Sequence, residues 1–452
     1  MPVIAVLLAG CAGGQNTSSA LSGGSSLDST QTIPDLPYNE EHNVFSYAVP
    51  GLGSDVMPIG AWCAPWYVSE TLDRQTDEIY GYAKESGINI LYGLYERIPL
   101  CPDQVEIALD FCDKYDLQYF IRDESLGAHS EDENDFIEHV TPFTEHESFS
   151  GFMVCDEPSI KAAANYVAGR KLMREHFTKY AYYINTFPTY ASSEQFGGET
   201  GSTMTYYEYA DSYLEMMQPQ MYSYDFYGMY EEANSVSDGY YEQLYLAREL
   251  ANKHRVPFWP FVLAHGWEGV YRKPTEQDIY WMVGSSLVYG AKGIQYFSFM
   301  NPYEYPDWTG NFVDYDGNKT ELFPYFKTAN EFIASVDGIL MKSSLVGMMQ
   351  YGGTPSPFPD EQQHEFVTSI REIQAVKTEG DILIGVFDHG GQTAIYILNN
   401  TLTDETELTI DFTAPVRADV YEFTSSTTAE GESITLSLKA GQSALVDLTN
   451  YK

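Results

Sequence analysis

Basic residues are scarce in this chain: 24 Lys and Arg stand against 65 Asp and Glu, a formal charge of −41. A surface of that sign repels phosphate backbones and anionic headgroups, so nucleic acid and electrostatic membrane docking are excluded as partner classes and a neutral partner remains. Cysteine is equally sparse. Of the five, Cys63, Cys101, Cys112 and Cys155 show neither metal-ligand spacing nor a disulfide framework, and they read as small buried hydrophobes. No apolar run reaches the roughly 20 residues of a membrane-spanning helix. No G-x-G-x-x-G or G-x-x-x-x-G-K-S/T turn follows an apolar run, and no His-x-His or His-Glu-x-x-His spacing occurs, so the sequence calls for no nucleotide cofactor and no metal.

Aromatic residues are abundant. The 37 Tyr, 24 Phe and 6 Trp make 15% of the chain, and Tyr combines an apolar ring with a polar tip, a surface suited to sugar rings and their hydroxyls. The chain starts MPVIAVLLAGC and continues through a Gly/Ser/Thr-rich stretch from Ala12 to Thr32. Residues 1–11 resemble the remnant of a bacterial lipoprotein signal whose lipobox ends in Cys11, and residues 12–50 read as a flexible tether and lead-in. Together they imply an extracellular protein held on the bacterial cell surface by a lipid on Cys11, with the membrane touched only through that anchor.

From residue 51 to 345, eight short apolar or aromatic runs alternate with helical patterns. The runs are VMPIGAW, INILYGLY, LQYFIRDE, FSGFMVCDE, AYYINTF, PQMYSYDFY, PFWPFVLAHG and GIQYFSFM. In the first helical pattern Ser69 reads as the cap and Gly87 as the stop; in a later one Pro274 opens the helix. Eight strand–helix pairs over some 285 residues predict a (β/α)8 TIM barrel, with a doubly wound open sheet as the alternative. After residue 345 the period changes to two, and residues 346–452 predict a small C-terminal antiparallel β-sandwich. DYDGNKTE, Asp314 to Glu321, is too short for a calcium loop and reads as a turn before the last helix.

Barrel chemistry sits at the C-terminal ends of the strands. There the fourth run ends in Asp156 and Glu157, followed by Pro158. The other tips deliver Trp62, Tyr95, Asp123, Asn185, Tyr222, Tyr224, Asp225, His265 and Trp267. Glu96 and Glu124, beside Arg97 and Arg122, read as rim salt bridges. Glycosidic cleavage needs an acid protonated near neutral pH and a second carboxylate-type function. Glu157 is the expected acid, its proton affinity raised by Asp156 and other rim carboxylates. Asp225, two strands away, is the expected partner, with Glu268 and Glu124 as the other choices. The remaining tip residues are expected to line a site for a neutral carbohydrate.

Strand four ending in Asp156-Glu157-Pro158 resembles the N-E-P of the clan A glycoside hydrolases, including the family 42 β-galactosidases, in which the Glu is the acid/base. That resemblance implies the acid role for Glu157. It finds no counterpart for the clan's strand-seven nucleophile, because FVLAHGWEG has no acid at its tip. FSGFMVCDEP with QMYSYDFYG is similar to the family 18 chitinase-like barrels, whose strand-six Tyr-Asp, here Tyr224-Asp225, positions a group on the substrate. Both resemblances imply a glycoside hydrolase; a glycan-binding lipoprotein without catalysis is the alternative.

Overall fold

The computed structural model describes residues 47–231, 236–237, 239–353, 358–363 and 365–448. Cys11, the signal stretch and nearly all of the tether lie outside the described residues. Each apolar run becomes one strand: β1 (Ile59–Trp62), β2 (Ile90–Ile98), β3 (Gln118–Asp123), β4 (Phe149–Asp156), β5 (Ala181–Thr186), β6 (Tyr222–Tyr224), β7 (Phe258–Leu263) and β8 (Ile294–Phe297). The main helix after each is α1 (Asp77–Glu85), α2 (Pro102–Tyr115), α3 (Glu133–Val140), α4 (Val167–His176), α5 (Tyr206–Met217), α6 (Tyr240–His254), α7 (Glu276–Val288) and α8 (Phe323–Leu340). The strands are parallel, follow chain order, and close when β8 pairs with β1 through Ile59 and Ile294. The fold is a TIM barrel. Strands covered by helices outside and by packed side chains inside need apolar residues on both faces, which is why β5 and β7 are buried at every position.

Rings fill the barrel interior. Trp62, Tyr92, Phe120, Tyr183 and Phe261 contact one another with centroids 4.9 to 6.4 Å apart. The helix starts differ from the expected ones. Ser69 ends a short strand, Tyr67–Ser69, paired with Leu72–Asp73, and α1 is capped by Thr76, whose side chain accepts from the Ile79 amide. Acidic Asp77 and Glu78 follow in the first turn, where the helix dipole favours them. Thr275 rather than Pro274 caps α7, in a capping box with Asp278. In the DYDGNKTE turn, the Asp314 carboxylate accepts from the Asp316 and Asn318 amides. The four described cysteines are free, with Cys63 and Cys112 buried and Cys101 and Cys155 half-buried.

The C-terminal sheet contains β9 (Ser344–Tyr351), β10 (Ile373–Thr378), β11 (Ile382–His389), β12 (Gln392–Asn399), β13 (Thr406–Glu422), β14 (Ser425–Leu438) and β15 (Ser443–Asp447). Its order is β9-β11-β12-β15-β13-β10, with β14 along the far edge of β13. The long β13 changes neighbour midway, from β10 to β15, and so folds the sheet over its own apolar core. Alternation decides which residues face where: Ile382, Ile384, Ile395 and Ile397 enter that core, while Leu383, Phe387, Tyr396 and Leu398 join the barrel's. Close approach needs glycine at the junction. A Cβ on Gly385 would stand 2.7 Å from the Val288 carbonyl oxygen at the end of α7. Among the described residues, no helix is long and apolar enough to cross a membrane.

Candidate functional site

Register brings the polar groups of three neighbouring strands into one row at the C-terminal mouth. Asp156 of β4 is opposite Asn185 of β5, and Asn185 is opposite Ser223 of β6. Side chains alternate along a strand, and β6 shows the consequence. Tyr222 points outward, bonding the Tyr206 hydroxyl of α5 at 2.6 Å, and Tyr224 shares that outward face. Ser223 points inward, and Asp225, one step beyond Tyr224, points inward again. The Ser223 hydroxyl donates to Asn185 Oδ1 at 2.9 Å and accepts from Gln295 Nε2 at 2.9 Å. This fixes the amide of Asn185, whose Nδ2 donates to Asp156 Oδ1 at 3.2 Å and to Asp225 Oδ1 at 3.0 Å.

Strict alternation would carry Glu157 away from Asp156. The chain avoids this by turning Glu157 into the left-handed region, φ 45°, while its amide still donates to the Asn185 carbonyl at 2.9 Å. A non-glycine residue there costs roughly 1–2 kcal/mol, a strain borne at the residue that the sequence marks as the acid. The Glu157 carboxyl then hydrogen-bonds to Asp225. Asp156, Glu157 and Asp225 are all half-buried, so the group forms the floor of the mouth.

A hydrogen bond between two carboxyl groups requires a proton. Burial, with repulsion from Asp225 and Asp156, holds Glu157 well above the usual carboxylate range. Burial pushes Asp225 up to about 7 and Asp156 to about 6, opposed in both by the Asn185 amide and, for Asp156, by the charge of Arg122. Asn185 thus favours the anions of Asp156 and Asp225, and the shared proton resides on Glu157. The arrangement is a neutral carboxylic acid held by an anionic neighbour, available near neutral pH to an oxygen placed in the mouth.

Sequence reasoning missed the aromatic wall around these acids. The charges of Asp225 and Glu157 reach the hydroxyls of Tyr190 and Tyr271, and Tyr190 hydrogen-bonds to Tyr271. Tyr227 lies beside Asp225, with its ring stacked on Phe297 at 5.7 Å. Tyr190, Tyr227 and Tyr271 follow strands five, six and seven by a few residues. That position was the available signal, diluted by the number of tyrosines in the chain.

Other expected residues do different work. Asp123 is buried, its Oδ1 accepting from the Ser125 amide and hydroxyl and its Oδ2 paired with His139 at 2.6 Å, so it caps a loop and does not face the mouth. Tyr222 and Tyr224 are corrected likewise, because they point into the helix layer. Trp62 is part of the interior ring layer. Tyr95 hydrogen-bonds to Glu304 and accepts from the Tyr303 amide, tying the β8–α8 loop to β2. His265 is buried and neutral, its pKa lowered to about 3 by burial; it pairs with the Phe297 carbonyl and stacks on Trp308 at 3.8 Å. Trp267 stands at the rim, half-buried. Glu124 is bridged to Arg97 at 2.7 Å and Arg122 at 3.1 Å, and Glu268 is exposed, so neither joins the acid cluster. Glu96 is no rim salt bridge. It is buried, accepts from the Tyr119 hydroxyl at 2.6 Å, and is pushed up to about 8 by burial.

No protein-family model and no curated protein matches the chain. Solved structures do match, at low identity. A catalytic mutant of Gan42B, a GH42 β-galactosidase from G. stearothermophilus, aligns over 89% of this chain and 100% of its own, at 7% identity and a TM-score of 0.57. A cold-adapted β-galactosidase from Rahnella sp. R3 aligns over 67% of this chain and 59% of its own, at 10% identity and a TM-score of 0.48. For the β-galactosidase of the psychrophilic Marinomonas ef1 the figures are 64%, 62%, 10% and 0.46, so the chain spans less than two thirds of that protein. The first likeness is one of fold: the TIM barrel and the domain after it superpose on those of that β-galactosidase.

Proposed function

We propose that this chain is a glycoside hydrolase that cleaves a glycosidic bond in a neutral oligo- or polysaccharide, with Glu157 as general acid and Asp225 as its partner. The observation that supports it most is the Glu157–Asp225 hydrogen bond, anchored through Asn185 at the C-terminal mouth of the barrel. Glu157 gives its proton to the leaving oxygen as the bond to the anomeric carbon breaks, and Asp225 stabilises the charge that develops. Nucleophilic carboxylates stand about 5–5.5 Å from their acid, whereas Asp225 touches Glu157. Inverting pairs stand further apart still, about 6.5–9.5 Å, so Asp225 serves to position a substituent of the sugar for attack. The water that then opens the resulting intermediate gives its proton to Glu157, which regains its acid form. The barrel shared with a GH42 β-galactosidase agrees with this reading.

A screen against aryl glycosides and polysaccharides, repeated with Glu157→Gln, tests it. The variant keeps the shape and loses the proton; turnover should fall about 10²–10⁴-fold while glycan affinity persists. A second reading, glycan binding without catalysis, is favoured by the absence of a carboxylate at the tip of β7, where Ala264 and His265 stand. It requires wild-type protein that binds glycan and turns over nothing. The proposal extends to location: extracellular, lipid-anchored through Cys11 on the bacterial surface. Cys11→Ser should then move the protein from the membrane fraction to the medium.

A further inference from the structure

The mouth continues into a second aromatic surface. Tyr271, whose hydroxyl faces the acids, exchanges backbone hydrogen bonds with Trp267 at 2.8 and 2.9 Å and forms a bridge to Tyr230 on its other side. Residues opposed across such a ribbon project to the same face. Tyr230, Tyr271 and Trp267 therefore stand in a row at about 4.8 Å per step, with Tyr271 in the middle beside Glu157 and Asp225 and Trp267 one step to one side.

Beyond Trp267 the β8–α8 loop adds a pile of parallel rings. His265 lies under Trp308 at 3.8 Å and 2°, and Trp308 lies under Tyr305 at 4.5 Å and 17°. The lower two rings are buried, and Tyr305 at the top is half-exposed. Trp267 flanks the pile, 5.5 Å from both Tyr305 and Trp308. Exposed carboxylates, Glu268 and Asp307, border this surface. They accept hydrogen bonds from hydroxyl groups and repel carboxylated or sulfated rings.

We infer that Trp267 and Tyr305 form a subsite for a sugar ring one or more units away from the bond held at Glu157, so that the preferred substrate is a neutral glycan chain and not a single-sugar glycoside. The inference rests on the glycosidase reading only for the position of that bond. A sugar ring packing its C–H face on Tyr305 extends the pile by one member, and Trp267 closes its side. Tyr271, which faces the acids and pairs with Trp267, lies between the two places.

Two measurements on the full chain test it. In affinity gels containing galactan, galactomannan, xyloglucan or arabinoxylan, the wild-type protein and Glu157→Gln should be retarded by at least one polysaccharide. Trp267→Ala and Tyr305→Ala should lose that retardation, and Tyr305→Phe should keep it. Polygalacturonate, the anionic control, should retard none of them. With the glycoside class found by the activity screen, the ratio of kcat/KM on a tetrasaccharide to that on its aryl monoglycoside should fall about 10- to 30-fold in Tyr305→Ala, through KM. Retardation that disappears with Trp267 or Tyr305 in a protein that turns over nothing supports the subsite while sinking the hydrolase reading. Absence of retardation in every neutral gel, retardation indifferent to both alanine variants, or an unchanged substrate ratio overturns the subsite. Thermal melts of the variants separate loss of the subsite from loss of the fold, and a binding defect that Tyr305→Phe also shows overturns the stacking role.

Discussion

Replacing Asp225 with Asn should make the protein more stable at neutral pH and less active. The folded state holds Asp225 at about 7, against an ordinary 3.8. At about 1.4 kcal/mol per tenfold change, that displacement corresponds to about 4 kcal/mol. Because the carboxyl is half-buried and shares its proton with Glu157, about half of this, roughly 2 kcal/mol, is attributable to Asp225 alone. The sign follows from linkage. A carboxyl whose folded pKa is raised contributes stability that is fully present below about pH 4 and is lost as pH rises through about 7. The difference between variant and wild type, which cancels every other titrating group, should be near zero at pH 4. It should grow to about 2 kcal/mol at pH 8. With about 2.1 cal/mol/K per residue over a barrel of roughly 300 residues, that equals a Tm gain of about 3 °C. Melts at half-unit pH steps provide the measurement. A difference independent of pH, or one that grows toward acid, would refute the carboxyl cluster as drawn.

Two more outcomes follow from the same packing. Ser223→Ala removes the donor to Asn185 Oδ1; with the amide free to turn, kcat should drop about tenfold with little change in KM, and the acid limb of the pH–rate profile should shift, which a purely structural defect would not produce. Lys292 is buried, lowered to about 7 by burial, and its amine nitrogen donates to the carbonyl of Leu340, the last residue of α8, and to that of Ser343 just beyond it. Lys292→Met leaves those oxygens unpaired and should cost about 1–3 kcal/mol in urea unfolding, a loss that would be absent if the lysine only filled space.

Much of the barrel was legible in the residues. Runs such as AYYINTF and PFWPFVLAHG are apolar at nearly every position because both faces of those strands are covered, and length separates them from the helical patterns between. The helix starts were harder. Ser69 and Thr76 are both good caps and both are followed by acids; the helix starts at Thr76 because residues 67–73 pair as a hairpin, which no local signal excluded. At the mouth, Asp156, Glu157 and Asp225 could be named from position, whereas Asp123, Tyr222 and Tyr224 could not be rejected from it. Asp123 is held by Ser125 and His139, and the two tyrosines by α5 and α6, partners that chain order does not reveal.

By itself, the sequence determined the alternation of strand and helix, the change of period near residue 345, the acidic charge and the acids at the tip of β4. Those properties are local, fixed by which residues repeat at which spacing. Only the tertiary structure decided that Glu157 turns back through a left-handed backbone to meet Asp225, that Asn185 bridges Asp156 and Asp225, and that Tyr190 and Tyr271 close over them. Such decisions depend on register between strands that lie 30 to 40 residues apart along the chain, where one residue of slip exchanges the inward and outward faces.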